Sequence, residues 1–422
     1  MSRARTLLLG GSALRRNIVR IVGGAAAGQL LVLLSSPLLS RLYGPADFGA
    51  LAAYASLLSV LLVCVNLRYD FAIVRPKHDE EAFRLLGLAL LCALAVSLLL
   101  LAAVPLLVPA LGTVLPAMLT WLLPLGLLLS GVYQALNYWA VRQGAGRAIG
   151  QTRLTQSASM VGLQLLGGVL GGSPLGLVAG YIAGQAAGTG RLVRQVPRSL
   201  STLLRPASLW RTALAYRRFP LLSLPSGLAN VAALQLPTLF VAHTYGVETA
   251  GWLTLAQRVL GGPLDLLGAG VSQAFMGELS RNQHEPARLH TLFGSVARRL
   301  ALLGLLVLLA GALCPLLFGP LFGAEWQPAG TLAALLSLMY AGRLLGGALS
   351  QTLIVLDRLN WMFAIDLLRL ALVLAVFALF KAQGYVALIG AYSVTMALTY
   401  LLYFFAARAA LQRPLSRNEA SS

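Results

Sequence analysis

Twelve apolar runs follow one another along this chain, at residues 17–40, 47–67, 83–108, 115–140, 148–171, 174–190, 219–244, 249–276, 294–318, 328–356, 360–381 and 385–407. A bilayer core of about 30 Å is crossed by roughly 20 helical residues. Backbone exposed to lipid must satisfy its own hydrogen bonds, so repeated runs of this kind fold as helices. The expectation is an all-α membrane protein of about 12 transmembrane helices. Composition agrees: 58% of residues are hydrophobic and 11% charged, where a soluble domain carries about 25% charged residues.

The basic residues alternate from one connection to the next. Of the 32 lysines and arginines, 27 fall in one set of connections and the termini. The other set holds Arg41 and Lys381 alone, while Arg258, Arg343 and Arg369 lie within the runs. Positive charge is retained on the cytoplasmic side, so this asymmetry places both termini in the cytoplasm. It also disposes of nucleic acid as the reason for the net charge of +19, because the charges lie in short connections rather than on one polar face.

The longest polar connection divides the chain. The sequence predicts an N-terminal six-helix lobe at 1–190, a basic cytoplasmic connector at 191–217, a C-terminal six-helix lobe at 218–410 and a tail at 411–422. Tyr43-Gly44 with Gly49, and Tyr245-Gly246 with Gly251, repeat at an offset of 202 residues at equivalent turns of the two halves. Six spans per half make such a repeat parallel, related by an axis along the membrane normal. An architecture of this kind holds a cavity between lobes.

Nothing in the sequence marks an enzyme. No GxxxxGK[ST], HExxH or GxSxG motif is present, and the carboxylates are too scattered for an acid–base pair. Cys64, Cys92 and Cys314 stand far apart without metal or disulfide spacing, and no cofactor is expected. The chain reads as a transporter.

Several segments carry a family resemblance: NLRYDFAIVRPKHDEEA after the second run, YRRFP entering the seventh, LQLPTLFVAHTYG with GWLTLAQRVLGGPLDLLGAGVSQAF, and FGAEWQPAG before the tenth. Together they resemble the oligosaccharide flippase, or Wzx-like polysaccharide biosynthesis, family over residues 17–410. That family is similar in fold to the multidrug/oligosaccharidyl-lipid/polysaccharide exporter superfamily, whose two six-helix lobes rock about a central cavity. The resemblance implies translocation of an oligosaccharide linked to undecaprenyl diphosphate, with membrane lipids, a polysaccharide polymerase and a chain-length regulator as further partners. A multidrug or cation exporter of the same fold remains the alternative, and a membrane polymerase or glycosyltransferase of the same pathway a more distant one.

A diphosphate crossing a low-dielectric path calls for guanidinium groups, which stay charged and offer a planar fork to phosphate oxygens. Arg258, beside Gln257, is the first candidate and Arg343, without an acid in its own run, the second. Arg369 stands three residues from Asp366, where the two can pair directly. Sugar hydroxyls would be met by neutral stripes: Ser130, Gln134 and Asn137; Gln151, Thr155 and Ser159; Ser223, Ser226 and Asn230. The same stripes could equally join helices to one another. Asp265 and Asp366, acids well inside the runs, are candidates for proton coupling. Arg68, with Asp70, could hold a gate. Pro220, Pro225, Pro237 and Pro263 are expected to bend the seventh and eighth helices.

Overall fold

A computed structural model describes residues 23–197, 206–281, 285–356 and 358–412. Arg3, Arg5, Arg15, Arg16, Arg20, Arg198, Arg205, His284, Arg413, Arg417 and the side chain of Ser226 therefore lie outside the described residues.

Helices occupy all twelve apolar runs. The first six are α1 (Gly23–Leu42), α2 (Pro45–Val65), α4 (Asp79–Leu111), α6 (Leu123–Arg142), α7 (Gly146–Val169) and α8 (Pro174–Ala186). Short helices α3 (Tyr69–Ala72), α5 (Ala117–Thr120), α9 (Thr189–Val193) and α10 (Pro206–Ala215) fill their connections. The second set runs α11 (Leu224–Tyr245), α12 (Val247–Arg281), α13 (Pro286–Phe322), α14 (Gln327–Leu349), continued by α15 (Gln351–Val355), then α16 (Leu359–Phe380) and α17 (Tyr385–Gln412). Among the described residues, eight helices are long and apolar enough to cross a membrane. The runs at α7, α8, α11 and α12 are helical but fall outside that eight. The 13 residues of α8 rise only about 20 Å, whereas α7 has 24 residues and falls short by polarity rather than length.

Local sequence explains the boundaries. Asp79, Glu80 and Glu81 open α4, where negative charge complements the helix dipole. Prolines stand in the first turn of α2, α6 and α8, where no amide is lost. Pro220 lies in a π-helical turn at Phe219–Ser223 and Pro225 in the first turn of α11. Both lie where that π-helical turn runs directly into α11, the kind of place at which helices bend. Pro237 and Pro263 are the interior pair. Leucines such as Leu98, Leu106, Leu316 and Leu379 point outward, as a surface facing hydrocarbon requires.

The described chain forms two compact units, residues 1–251 and 252–422. In the first, Ile73, Leu85, Ala89, Trp139 and Leu192 build a core in which each is fully buried. In the second, Leu279, Leu349, Leu353 and Ala407 do the same.

The sequence echo has a geometric counterpart inside the first unit. A Cβ on Gly49 would collide with the Val247 carbonyl, and a Cβ on Gly251 with the Pro45 carbonyl. The contacts are reciprocal, since Pro45 and Val247 are themselves 202 residues apart. Two equivalent turns touch through equivalent atoms, as they would across a local two-fold axis. Only glycine leaves room for that approach.

Candidate functional site

Charged side chains gather inside the second unit. Asp265 on α12 and Arg343 on α14 form an ion pair of 3.0 Å, with both side chains about half-exposed. Arg343 has no acid in its own run, as expected; its partner comes from another helix, 78 residues away, where spacing along one run cannot find it. On α16, Asp366 and Arg369 pair at 2.8 Å across three residues. Tyr403 of α17 donates its hydroxyl to Asp366 Oδ1 at 2.6 Å.

Close helix packing brings these groups together. Gly346 of α14 lies against the backbone carbonyl of Tyr400, so α14 and α17 approach without a side chain between them. Tyr400 then lies in the field of Arg343, Arg369, Asp265 and Asp366 together. Tyr340, one turn before Arg343, feels the Asp265 and Arg343 charges as well. The Asp265–Arg343 pair borders a cavity of about 240 Å³, whose wall also holds Ser272, Tyr340, Gly268 and Gly347. An anion entering there would meet a guanidinium already oriented by its carboxylate and able to exchange one anionic partner for another.

The other anticipated residues are dispersed. Arg258 and Gln257 are half-buried on α12, Asn137 is half-buried on α6, and Asn230 is exposed on α11. Gln134 is committed to Asp70, donating Nε2 to Oδ2 at 2.8 Å. Tyr340, Tyr400 and Tyr403 were missed. A signal existed: Ser393, Thr399, Tyr400 and Tyr403 recur at helical spacing along α17, a row of hydroxyl-bearing side chains.

A second polar cluster occupies the first unit where α2 ends. Leu67 (φ 47°) and Arg68 (φ 62°) are both left-handed, a conformation costing about 1–2 kcal/mol per non-glycine residue. Asn66 anchors the turn by donating Nδ2 to the Gly131 carbonyl at 3.1 Å. The Arg68 guanidinium lies over the Phe71 ring at 4.7 Å and against α11 at Gly227. Asp70, in the connection between spans, is 1% exposed. Burial pushes its carboxyl up to about 6, against the opposing pull of backbone amides, Arg68 and Gln134. The strained backbone of Leu67 and Arg68 thus stands beside a buried acid.

Among the described residues no group of three His, Cys, Asp or Glu side chains could hold a metal ion. The described cysteines are all free. His243 approaches Thr113 Oγ1 at 3.4 Å.

Comparison with solved structures gives the fold. An inward-facing multidrug resistance MATE family transporter of the MOP superfamily matches with a TM-score of 0.65 at 14% identity, covering 93% of this chain and 96% of its own. The lipid II flippase MurJ, in an inward closed conformation, matches with a TM-score of 0.66 at 13% identity over 93% and 89%. A MOP superfamily transporter from Pyrococcus furiosus matches with a TM-score of 0.59 at 14% identity over 95% and 97%. No curated relative matches the sequence. Residues 38–330 match the family described as polysaccharide biosynthesis protein. With well over half of its length in that match, the chain belongs to the polysaccharide biosynthesis protein family.

Proposed function

We propose that the chain is a flippase carrying an oligosaccharide linked to undecaprenyl diphosphate from the cytoplasmic to the periplasmic leaflet of a bacterial inner membrane, for synthesis of a cell-surface polysaccharide. Alternating access moves the substrate, with rocking of the two six-helix lobes, 1–190 and 218–410, exposing the site to one side and then the other. A polymerase and a chain-length regulator would take over the product. The observation that carries this reading is Arg343, inside the span Ala324–Val355, held on a cavity wall by Asp265 with 44% of its side chain exposed.

In this mechanism the diphosphate displaces Asp265 from Arg343. The released carboxylate, surrounded by low dielectric, takes up a proton. Re-forming the ion pair expels both proton and substrate on the other side. Arg258 supplies further positive charge along the path, Arg369 balances the charge of Asp366, which also accepts a hydrogen bond from Tyr403, and Arg68 closes the cytoplasmic end.

The test is complementation of polysaccharide export, with membrane abundance measured for each variant. Arg258→Ala should lose most export while remaining abundant, and Arg258→Lys should recover part of it, because lysine keeps the charge and loses the fork. Normal export by an abundant Arg258→Ala protein removes that residue from the site. Resistance to cationic dyes gained on expressing the unmodified protein would favour the multidrug exporter instead.

A further inference from the structure

Part of the polarity that keeps α7 out of the eight apolar spans, Arg153, Gln156 and Ser157, borders one cavity. A cavity of about 320 Å³ in the first unit is lined by Gln29 of α1, Tyr133 of α6, Arg153 and Gln156 of α7, and Tyr181 and Gln185 of α8. Its size lies at the lower end of small-molecule pockets, roughly 300–1,000 Å³. Arg153 counts among the topology-setting arginines by sequence, yet it stands seven residues into α7, about 10 Å from the helix start.

The wall is fixed before any ligand arrives. Gln156 donates Nε2 to the Gln185 carbonyl at 3.0 Å, tying α7 to α8. Gly184 lies directly on Met160 and the Gln156 carbonyl, where a Cβ would not fit. The Tyr181 ring meets Tyr54 edge-on, with centroids 6.3 Å apart at 83°, and Tyr54 donates in turn to the Leu122 carbonyl at 3.0 Å. Tyr181 is thereby held from behind. No acid lines the cavity, and among the described ion pairs Arg153 has none, whereas Arg343 and Arg369 each do.

We propose that this cavity is a subsite for one sugar ring of the transported oligosaccharide. Phenol rings offer flat carbon surfaces to the C–H face of a pyranose. Carboxamides and phenol hydroxyls both donate and accept, which is what ring hydroxyls need. Arg153, lacking a carboxylate of its own, selects a sugar that carries an acidic substituent, a carboxylate or phosphate. It also argues against a cationic ligand. The subsite rests on the flippase reading, but names residues and a chemical feature which that reading does not use.

The full-length protein in lipid nanodiscs can be titrated with two probes: undecaprenyl diphosphate without sugar, and the same lipid bearing a single glucuronate. The unmodified protein should bind the glucuronate lipid roughly tenfold more tightly or better, since a site built to hydrogen-bond a group rejects the analogue lacking it. Arg153→Gln and, independently, Tyr133→Leu should remove that preference and leave affinity for the sugar-free lipid unchanged. A preference retained in both variants overturns the subsite. So does equal binding of both probes by the unmodified protein. An equal loss for both probes in Arg153→Gln would assign the arginine to the diphosphate instead. If the unmodified protein binds neither probe, the flippase reading falls and the subsite with it.

Discussion

Asp70 in the first unit and Asp265 in the second are both acids in helical surroundings, yet they are kept in opposite ways. Asp265 faces a guanidinium at 3.0 Å, and its charge is neutralised by a partner. Asp70 is held by the neutral amide of Gln134 at 2.8 Å, while Arg68 spends its guanidinium on an aromatic face and a glycine of α11. A buried carboxylate without a bonded cation is costly, so its protonation state is left open to pH. The comparison separates an acid whose charge no cation pairs with from one whose charge is balanced by a guanidinium.

The largest expected effect tests the Asp70 half. Its folded pKa is about 6 against an ordinary 3.8, a raised value, so ionisation opposes folding. The associated stability is fully present below pH ~4 and is lost as pH rises through about 6, amounting to about 3 kcal/mol at 1.36 kcal/mol per pKa unit. Thermal unfolding in detergent should therefore show the protein more stable at pH 5 than at pH 7.5. Asp70→Asn should flatten that difference and raise stability at pH 7.5. A pH dependence unchanged in Asp70→Asn would mean that the carboxyl is not the titrating group.

The twelve helices were legible because hydropathy is additive along a single run, and the echo at Gly49 and Gly251 was legible because equivalent turns reuse equivalent residues. The pairing of Asp265 with Arg343 was not, since two helices distant in sequence decide it. The Asp366–Arg369 pair could be read, being three residues apart on one helix. The cavity at Arg153 was hidden for a related reason: near the start of a run, charge reads as a topology signal, and only the packing of α1, α6 and α8 around α7 shows that it faces a cavity. The left-handed turn at Leu67-Arg68 has no sequence mark at all, because neither residue favours that conformation and the surrounding contacts impose it.

Second in size is the ion pair itself. Arg343→Ala removes a charge-assisted contact worth about 1.5–3 kcal/mol, which corresponds to roughly 10- to 100-fold weaker diphosphate binding. It also leaves Asp265 without its guanidinium. Asp265→Asn should keep binding measurable while abolishing any dependence of export on the proton gradient. Exchanging the two residues, with Asp265→Arg and Arg343→Asp together, should restore folded abundance more than export, because the pair survives while the guanidinium moves to another helix. If the exchange restores neither, the pair does not contribute as the contrast with Asp70 requires.

The smallest effect sharpens the contrast, by removing one hydrogen bond from each kind of acid. Tyr403→Phe takes away the hydroxyl that donates to Asp366 at 2.6 Å, but Asp366 keeps Arg369 at 2.8 Å. The loss should be about 1 kcal/mol, near the mean for a single hydrogen bond, and export should fall only slightly. Gln134→Leu removes the one described side-chain donor to Asp70, leaving a buried carboxylate with backbone amides and a distant charge. That loss should be larger at pH 7.5 and smaller near pH 5, since a protonated Asp70 needs the donor less. Measuring both variants at the two pH values compares the acids directly. Equal, pH-independent losses would show that Asp70 is as well compensated as Asp366, and the distinction between the two regions would then fail.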